Sequence, residues 1–203
     1  MGKLLFAALL ICNILFLFIT FKRHGSAETS AEKSPLSVRL GILFQTLSYP
    51  FAWAFRRPRI NPIGGEVLLA DVFIALTSVL IAVASVALAA AAKKSLGKQW
   101  ALAARVVNGH RLVSDGPFGR VRNPHYLAMG MLLVAVALGL SSITGIACAA
   151  LFYVLGTIMR IRAEERLLAE TFGREFEEYR RRVPAFLPRL GHGPVPAAPR
   201  EKR

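Results

Sequence analysis

LAMGMLLVAVALGLSSITGIACAALFYVLGTIM, residues 127–159, carries no charged side chain. As one helix at about 1.5 Å per residue it would measure roughly 50 Å, well beyond the ~30 Å hydrocarbon core of a bilayer. Two short antiparallel spans fit instead. Ser141, Ser142, Thr144 and Gly145 supply turn chemistry between them. A hairpin returns its two ends to the same side, so the stretches flanking it should be neighbours in space.

Similar runs lie upstream. Leu4–Phe21 is uncharged, Leu40–Phe55 is apolar, and Val67–Ala92 is broken only by Asp71. Each approaches the length of a membrane crossing. The first run is longer than the apolar core of a secretory signal and is followed directly by Lys22 and Arg23, so it reads as a retained span. Leu36–Phe55 is the least regular, with Arg39 near its start and Pro50 near its end, and an interfacial or re-entrant segment is the alternative. The expected architecture is an all-α integral membrane protein of about five transmembrane helices. Residues 1–92 form the N-terminal spans, residues 93–190 a core of basic loop, hairpin and amphipathic helix, and residues 191–203 a disordered tail.

The 203 residues carry a formal net charge of +14, and 54% of them are hydrophobic. A pI near 10.9 is also found in nucleic-acid-binding proteins. Here the cations sit at span ends, the pattern of membrane topology and anionic headgroups, so no nucleic acid is expected as a partner. Ser95–Asn123 and the C-terminal segment hold most of the Lys and Arg, which places both on the cytoplasmic side. Cys12 and Cys148 lie in apolar runs without metal-ligand spacing, and no metal is expected.

Two polar clusters flank the hairpin. Before it, Gly109-His110-Arg111-Leu112-Val113 leads through Gly116-Pro117-Phe118 to Arg122-Asn123-Pro124-His125-Tyr126. Pro124 removes a backbone donor and holds Asn123 extended. Backbone groups left open at such an entry suit a ligand, or an ordinary first helical turn with Pro near its start. After the hairpin, Arg160 and Glu164 share a helix face. Spacing alone favours an exposed ion pair over two groups lining a cavity. From Arg160 onward, Ile161, Leu167, Leu168, Phe172 and Phe176 alternate with charges, predicting an amphipathic surface helix that ends before Pro184 and Pro188.

The order of these motifs resembles the isoprenylcysteine carboxyl methyltransferase family and the related phospholipid methyltransferases. The likeness begins at Ser95-Leu96-Gly97-Lys98-Gln99-Trp100 and continues through both clusters. It runs on through Phe172-Gly173-Arg174-Glu175-Phe176-Glu177-Glu178-Tyr179 to Arg182-Val183-Pro184-Ala185-Phe186-Leu187-Pro188. It implies S-adenosylmethionine as cofactor, held by His110, Arg111, Leu112, Val113, Phe118, Asn123, Pro124, His125 and Tyr126. Glu164 is implied at the cofactor's amino group, and Arg160 as the catalytic and substrate-binding residue that orients a carboxylate. The family usually has His at the position of Asn123 and Tyr at that of Phe118. His125 occupies a variable motif position, where a backbone contact is expected.

The implied reaction is carboxyl methylation of an isoprenylcysteine or similar lipophilic carboxylate entering from the bilayer, at a site facing the cytoplasm. A carboxylate is ionised at neutral pH, so no general base is required. Alternatives are N-, O- or S-methylation of a phospholipid or other lipid, and a membrane adaptor or degenerate relative without activity. The alternating strands and helices of soluble nucleotide-binding folds are missing from the pattern.

Overall fold

Among the described residues, apolar segments without strand alternation fold into helices and no strand. The computed structural model describes residues 2–22, 35–57, 69–100 and 111–187. His110, most of the 24–35 and 56–65 connections, part of the 95–123 loop and the tail after residue 187 lie outside the described residues. Among the described residues six α-helices follow in order: α1 Gly2–Phe21, α2 Leu36–Ala54, α3 Leu69–Leu96, α4 Pro124–Leu140, α5 Ile143–Phe172 and α6 Arg174–Arg182. Among the described residues, α1, α3 and α5 are long and apolar enough to cross a membrane, and α4 is an apolar helix just below that length. Arg39, Gln45, Thr46 and Ser48 make α2 more polar, although it is a continuous helix with Pro50 inside it.

The inward face of α3 is built from Ala75, Ser78, Ala82, Ser85, Ala89 and Ala92, at helical spacing. Its outward face carries Phe73, Leu76, Leu80 and Val83. Small residues inside and large apolar residues outside are what lipid selects, because helices there gain by close packing rather than by escaping water. α3 packs mainly on α4 and α1, and α5 packs mainly on α2. Ser85 Oγ donates to the Ala128 carbonyl at 2.7 Å, tying α3 to α4. Asp71, at the start of α3, is buried.

Glycine lets α2 and α5 approach. A Cβ on Gly156 would stand 2.6 Å from the Gly41 carbonyl oxygen and 2.8 Å from the Gln45 amide nitrogen. Both obstacles are backbone and cannot rotate away. Gly156→Ala should therefore separate the pair and lower stability by about 1–3 kcal/mol, the usual cost of overpacking. The readout is thermal unfolding in detergent, and an unchanged Tm would contradict this packing.

Two expected boundaries shift. The turn between α4 and α5 is confined to Ser141 and Ser142, because Ser142 caps α5 by accepting from the Gly145 amide and draws Thr144 and Gly145 into the helix. The amphipathic segment is not one helix starting at Arg160. α5 continues to Phe172, Gly173 breaks it at φ 49°, and α6 begins at Arg174.

Candidate functional site

The end of the bundle where α4 begins gathers the C-termini of α1 and α3, the first half of α2 and the last turns of α5. Lys93 on α3 donates to the Ile19 and Lys22 carbonyls, closing the end of α1. Trp100 Nε1 adds a 3.1 Å bond to the Thr20 carbonyl. Cations and donors on terminal carbonyls suit the negative end of a helix.

Inside this frame lies a buried polar set. Arg160 on α5 is only 5% exposed. Its Nη1 donates to Gln45 Oε1 of α2 at 2.9 Å, and its Nη2 approaches Glu164 Oε1 at 3.4 Å. Its guanidinium lies 5.0 Å from the centre of the Tyr126 ring. Tyr126, at the start of α4, donates its hydroxyl to Glu164 Oε1. Gln45 Nε2 donates to Thr157 Oγ1 at 2.8 Å. Arginine has only donors, so it must face the amide oxygen of Gln45, and Thr157 then receives the NH2. The amide orientation is thereby fixed, and Arg160 is held from two helices.

A second layer covers the entry to α4. Arg122 pairs with Glu165 at 2.9 Å and donates through Nη1 to the Arg180 and Val183 carbonyls at 2.9 and 2.8 Å. Its backbone amide donates to the Pro184 carbonyl at 2.8 Å, and the Asn123 amide to Ala185 at 3.2 Å. The backbone donors expected to be open before Pro124 are thus taken by the chain's own segment after α6. Tyr179 on α6 donates its hydroxyl to the Phe118 carbonyl at 2.8 Å. Burial pushes the Tyr179 pKa up, against the opposing pull of Arg122, so the donor stays protonated. Phe176, Tyr179 and Val183 pack with Leu112, Leu168 and Phe172 beneath this strap. Arg122→Ala removes three side-chain anchors at once. It should release the strap and speed tryptic cleavage at Arg180–Arg182 roughly tenfold or more, as expected for losing about 1.5–3 kcal/mol of charge-assisted bonding. Unchanged cleavage would show that the apolar contacts suffice.

The expected site residues separate into groups. Tyr126, Arg160 and Glu164 are in contact, across the hairpin. Asn123 is buried and gives its side-chain amide to the Ala185 carbonyl at 3.2 Å, next to the buried Pro124. The His125 ring stacks on Phe16 at 5.5 Å and meets Trp100 edge-on at 4.6 Å. Leu112 packs under the strap, the Phe118 carbonyl accepts from Tyr179 on it, and Val113 is buried. Arg111 is exposed, with its amide donating to Gln99 Oε1 at 2.6 Å. No motif marks Gln45 or Thr157, and Trp100 and Arg122 stand in the motifs without an assigned role. A lone amide within the apolar face of α2 was the one available signal for Gln45. Among the described residues, no group of three or more His, Cys, Asp or Glu is placed to hold a metal ion.

The sequence model of the phospholipid methyltransferase family matches residues 72–175, from α3 to the first turn of α6. The chain belongs to the phospholipid methyltransferase family. The match takes in the whole hairpin, both flanking clusters and the Tyr126–Arg160–Glu164 set, but not Gln45. With its three long apolar helices, this family member is an integral membrane protein. It is 36% identical over 99 residues to the nickel-cobalt-cadmium resistance protein NccN of Alcaligenes xylosoxydans xylosoxydans, covering 47% of this chain and 45% of that protein. It is 35% identical over 99 residues to the cobalt-zinc-cadmium resistance protein CzcN of Cupriavidus metallidurans, covering 47% of this chain and 44% of that one. The matched part is therefore less than half the length of either relative.

Proposed function

We propose that the protein is an S-adenosylmethionine-dependent methyltransferase acting on a lipophilic acceptor, most simply a carboxylate such as an isoprenylcysteine. The observation that supports it most is the contact of Tyr126, Arg160 and Glu164 across the hairpin. The donor set suits the cofactor. Glu164 offers a carboxylate to its ammonium next to the Tyr126 ring, and Asn123, Pro124, His125, Leu112, Val113 and Phe118 are the residues proposed to take the rest of it. Arg111 and His110 complete the proposed set. When bound, the cofactor supplies a methyl group already activated by its sulfonium.

The chain's own part is then binding and orientation. Arg160 presents a planar fork that matches a carboxylate, and Gln45 and Thr157 hold that fork in place. Fixing an ionised nucleophile in line can account for ~7–11 kcal/mol of a barrier without any proton transfer. Low solvent access around Arg160 strengthens these charges. The site is assigned to the cytoplasmic face, because that end of the bundle carries Lys22, Lys93, Lys94, Arg111, Arg122 and the arginines of α6.

A second acceptor class, the phospholipid headgroup, is favoured by the family match itself. Purified protein, methyl-labelled cofactor and membrane lipid extract separate the two. Base-labile label in lipid or lipidated peptide indicates a carboxyl ester, and base-stable label an N- or S-methyl product. No label in any acceptor from folded protein would refute both.

A further inference from the structure

The other end of the bundle carries cations that the methyl-transfer reading does not use. Lys3 stands in the first turn of α1, and Arg56 and Arg57 follow the end of α2. With Gly2, Phe6 and Leu140 they line an open-sided cleft of about 360 Å³. Among the described residues, no carboxylate lines it and none of the three cations forms an ion pair.

Arg57 is fixed by α4. Its amide donates to the Leu140 carbonyl at 2.9 Å and its Nη2 to the Leu138 carbonyl. Arg57 Nε is nonetheless buried without an acceptor. Arg56 Nε donates to the Trp53 carbonyl at 2.9 Å, and the guanidinium lies 4.5 Å from the centre of the Phe6 ring. That arrangement leaves its terminal nitrogens without an acceptor among the described residues. The α1 N-terminus adds its positive dipole end.

Depth points to the kind of anion. α4 runs from the Arg160 site at Pro124 to this cleft at Leu140, about 25 Å at 1.5 Å per residue. That is roughly one hydrocarbon thickness, so the cleft lies in the opposite headgroup layer. The positive-inside rule disfavours a cluster of three cations on the side facing away from the more basic end, unless something there balances them. Phe6 and Leu140 provide apolar wall where a glycerol and acyl chain would continue from a phosphate.

We infer that Lys3, Arg56 and Arg57 form a binding site for the phosphate of an anionic phospholipid in the leaflet opposite the Arg160 site. The test is native mass spectrometry of the full chain in detergent, titrated with dioleoyl phosphatidylglycerol or dioleoyl phosphatidylcholine. The same protein is followed by thermal unfolding in inorganic phosphate. Wild type should retain one phosphatidylglycerol in preference to phosphatidylcholine. K3Q/R56Q, which leaves the Arg57 bonds to α4 intact, should weaken that retention about fivefold per cation removed. R57Q should do so as well if it folds. Equal retention by wild type and K3Q/R56Q would overturn the site. Stabilisation by inorganic phosphate with no lipid retained would overturn its assignment to lipid. Methyl transfer is scored separately, so failure here leaves the Arg160 site untouched.

Discussion

Arg160→Ala is expected to slow methyl transfer by at least about 100-fold, while cofactor affinity changes by less than about tenfold. The first figure is what loss of positioning at a reacting centre costs. The second follows because the cofactor's ammonium is assigned to Glu164, not to Arg160. Truncation also leaves Gln45 Oε1 without its donor and Glu164 without its cation. A fully buried pair broken on one side loses about 3–5 kcal/mol. The Glu164 side chain keeps 27% of its exposure, so the loss here should fall below that range. Arg160→Lys separates folding from chemistry. It keeps the charge and much of the packing but not the planar fork, so Tm should recover more than turnover. Turnover near wild type in both variants, measured with saturating cofactor, would remove Arg160 from the reaction.

Glu164→Gln should raise the cofactor Kd by roughly 10–100-fold, the equivalent of one charge-assisted hydrogen bond at about 1.5–3 kcal/mol. Glutamine preserves the shape and an acceptor for the Tyr126 hydroxyl, so the hairpin contact survives while the negative charge does not. Turnover at saturating cofactor should fall much less than in Arg160→Ala. The expected pattern is opposed: Arg160→Ala should act on kcat and Glu164→Gln on cofactor binding. Isothermal titration with the demethylated cofactor product reads the Glu164 effect directly. Equal and negligible effects of both substitutions would return the pair to an ordinary helix-face ion pair.

The membrane class and the hairpin were legible in the sequence because lipid imposes long uncharged runs, and charges at their ends are hard to disguise. Period and spacing also placed Arg160 and Glu164 on one face. They did not tell that this face was buried, since burial depends on Gly41 and Gly156 letting α2 close on α5. Gln45 showed only as a lone amide, without its role, because its partner lies on a helix distant in sequence. The break at Gly173 was hidden because a single glycine is tolerated within a helical pattern, and its positive φ is a tertiary choice. The strap after α6 was legible only as a terminator before Pro184. Its hydrogen bonds to Arg122 and Asn123 join residues about sixty positions apart, which local pattern does not encode.

The most direct test is an experimental structure of the full chain in lipid with the demethylated cofactor product bound. The product's amino group is expected against Glu164, its body along the Asn123–Tyr126 entry to α4, and the Arg160 guanidinium facing the space where the methyl group would leave. Product bound elsewhere on the bundle, or a Glu164 carboxylate far from Tyr126 with no cavity between them, would contradict it.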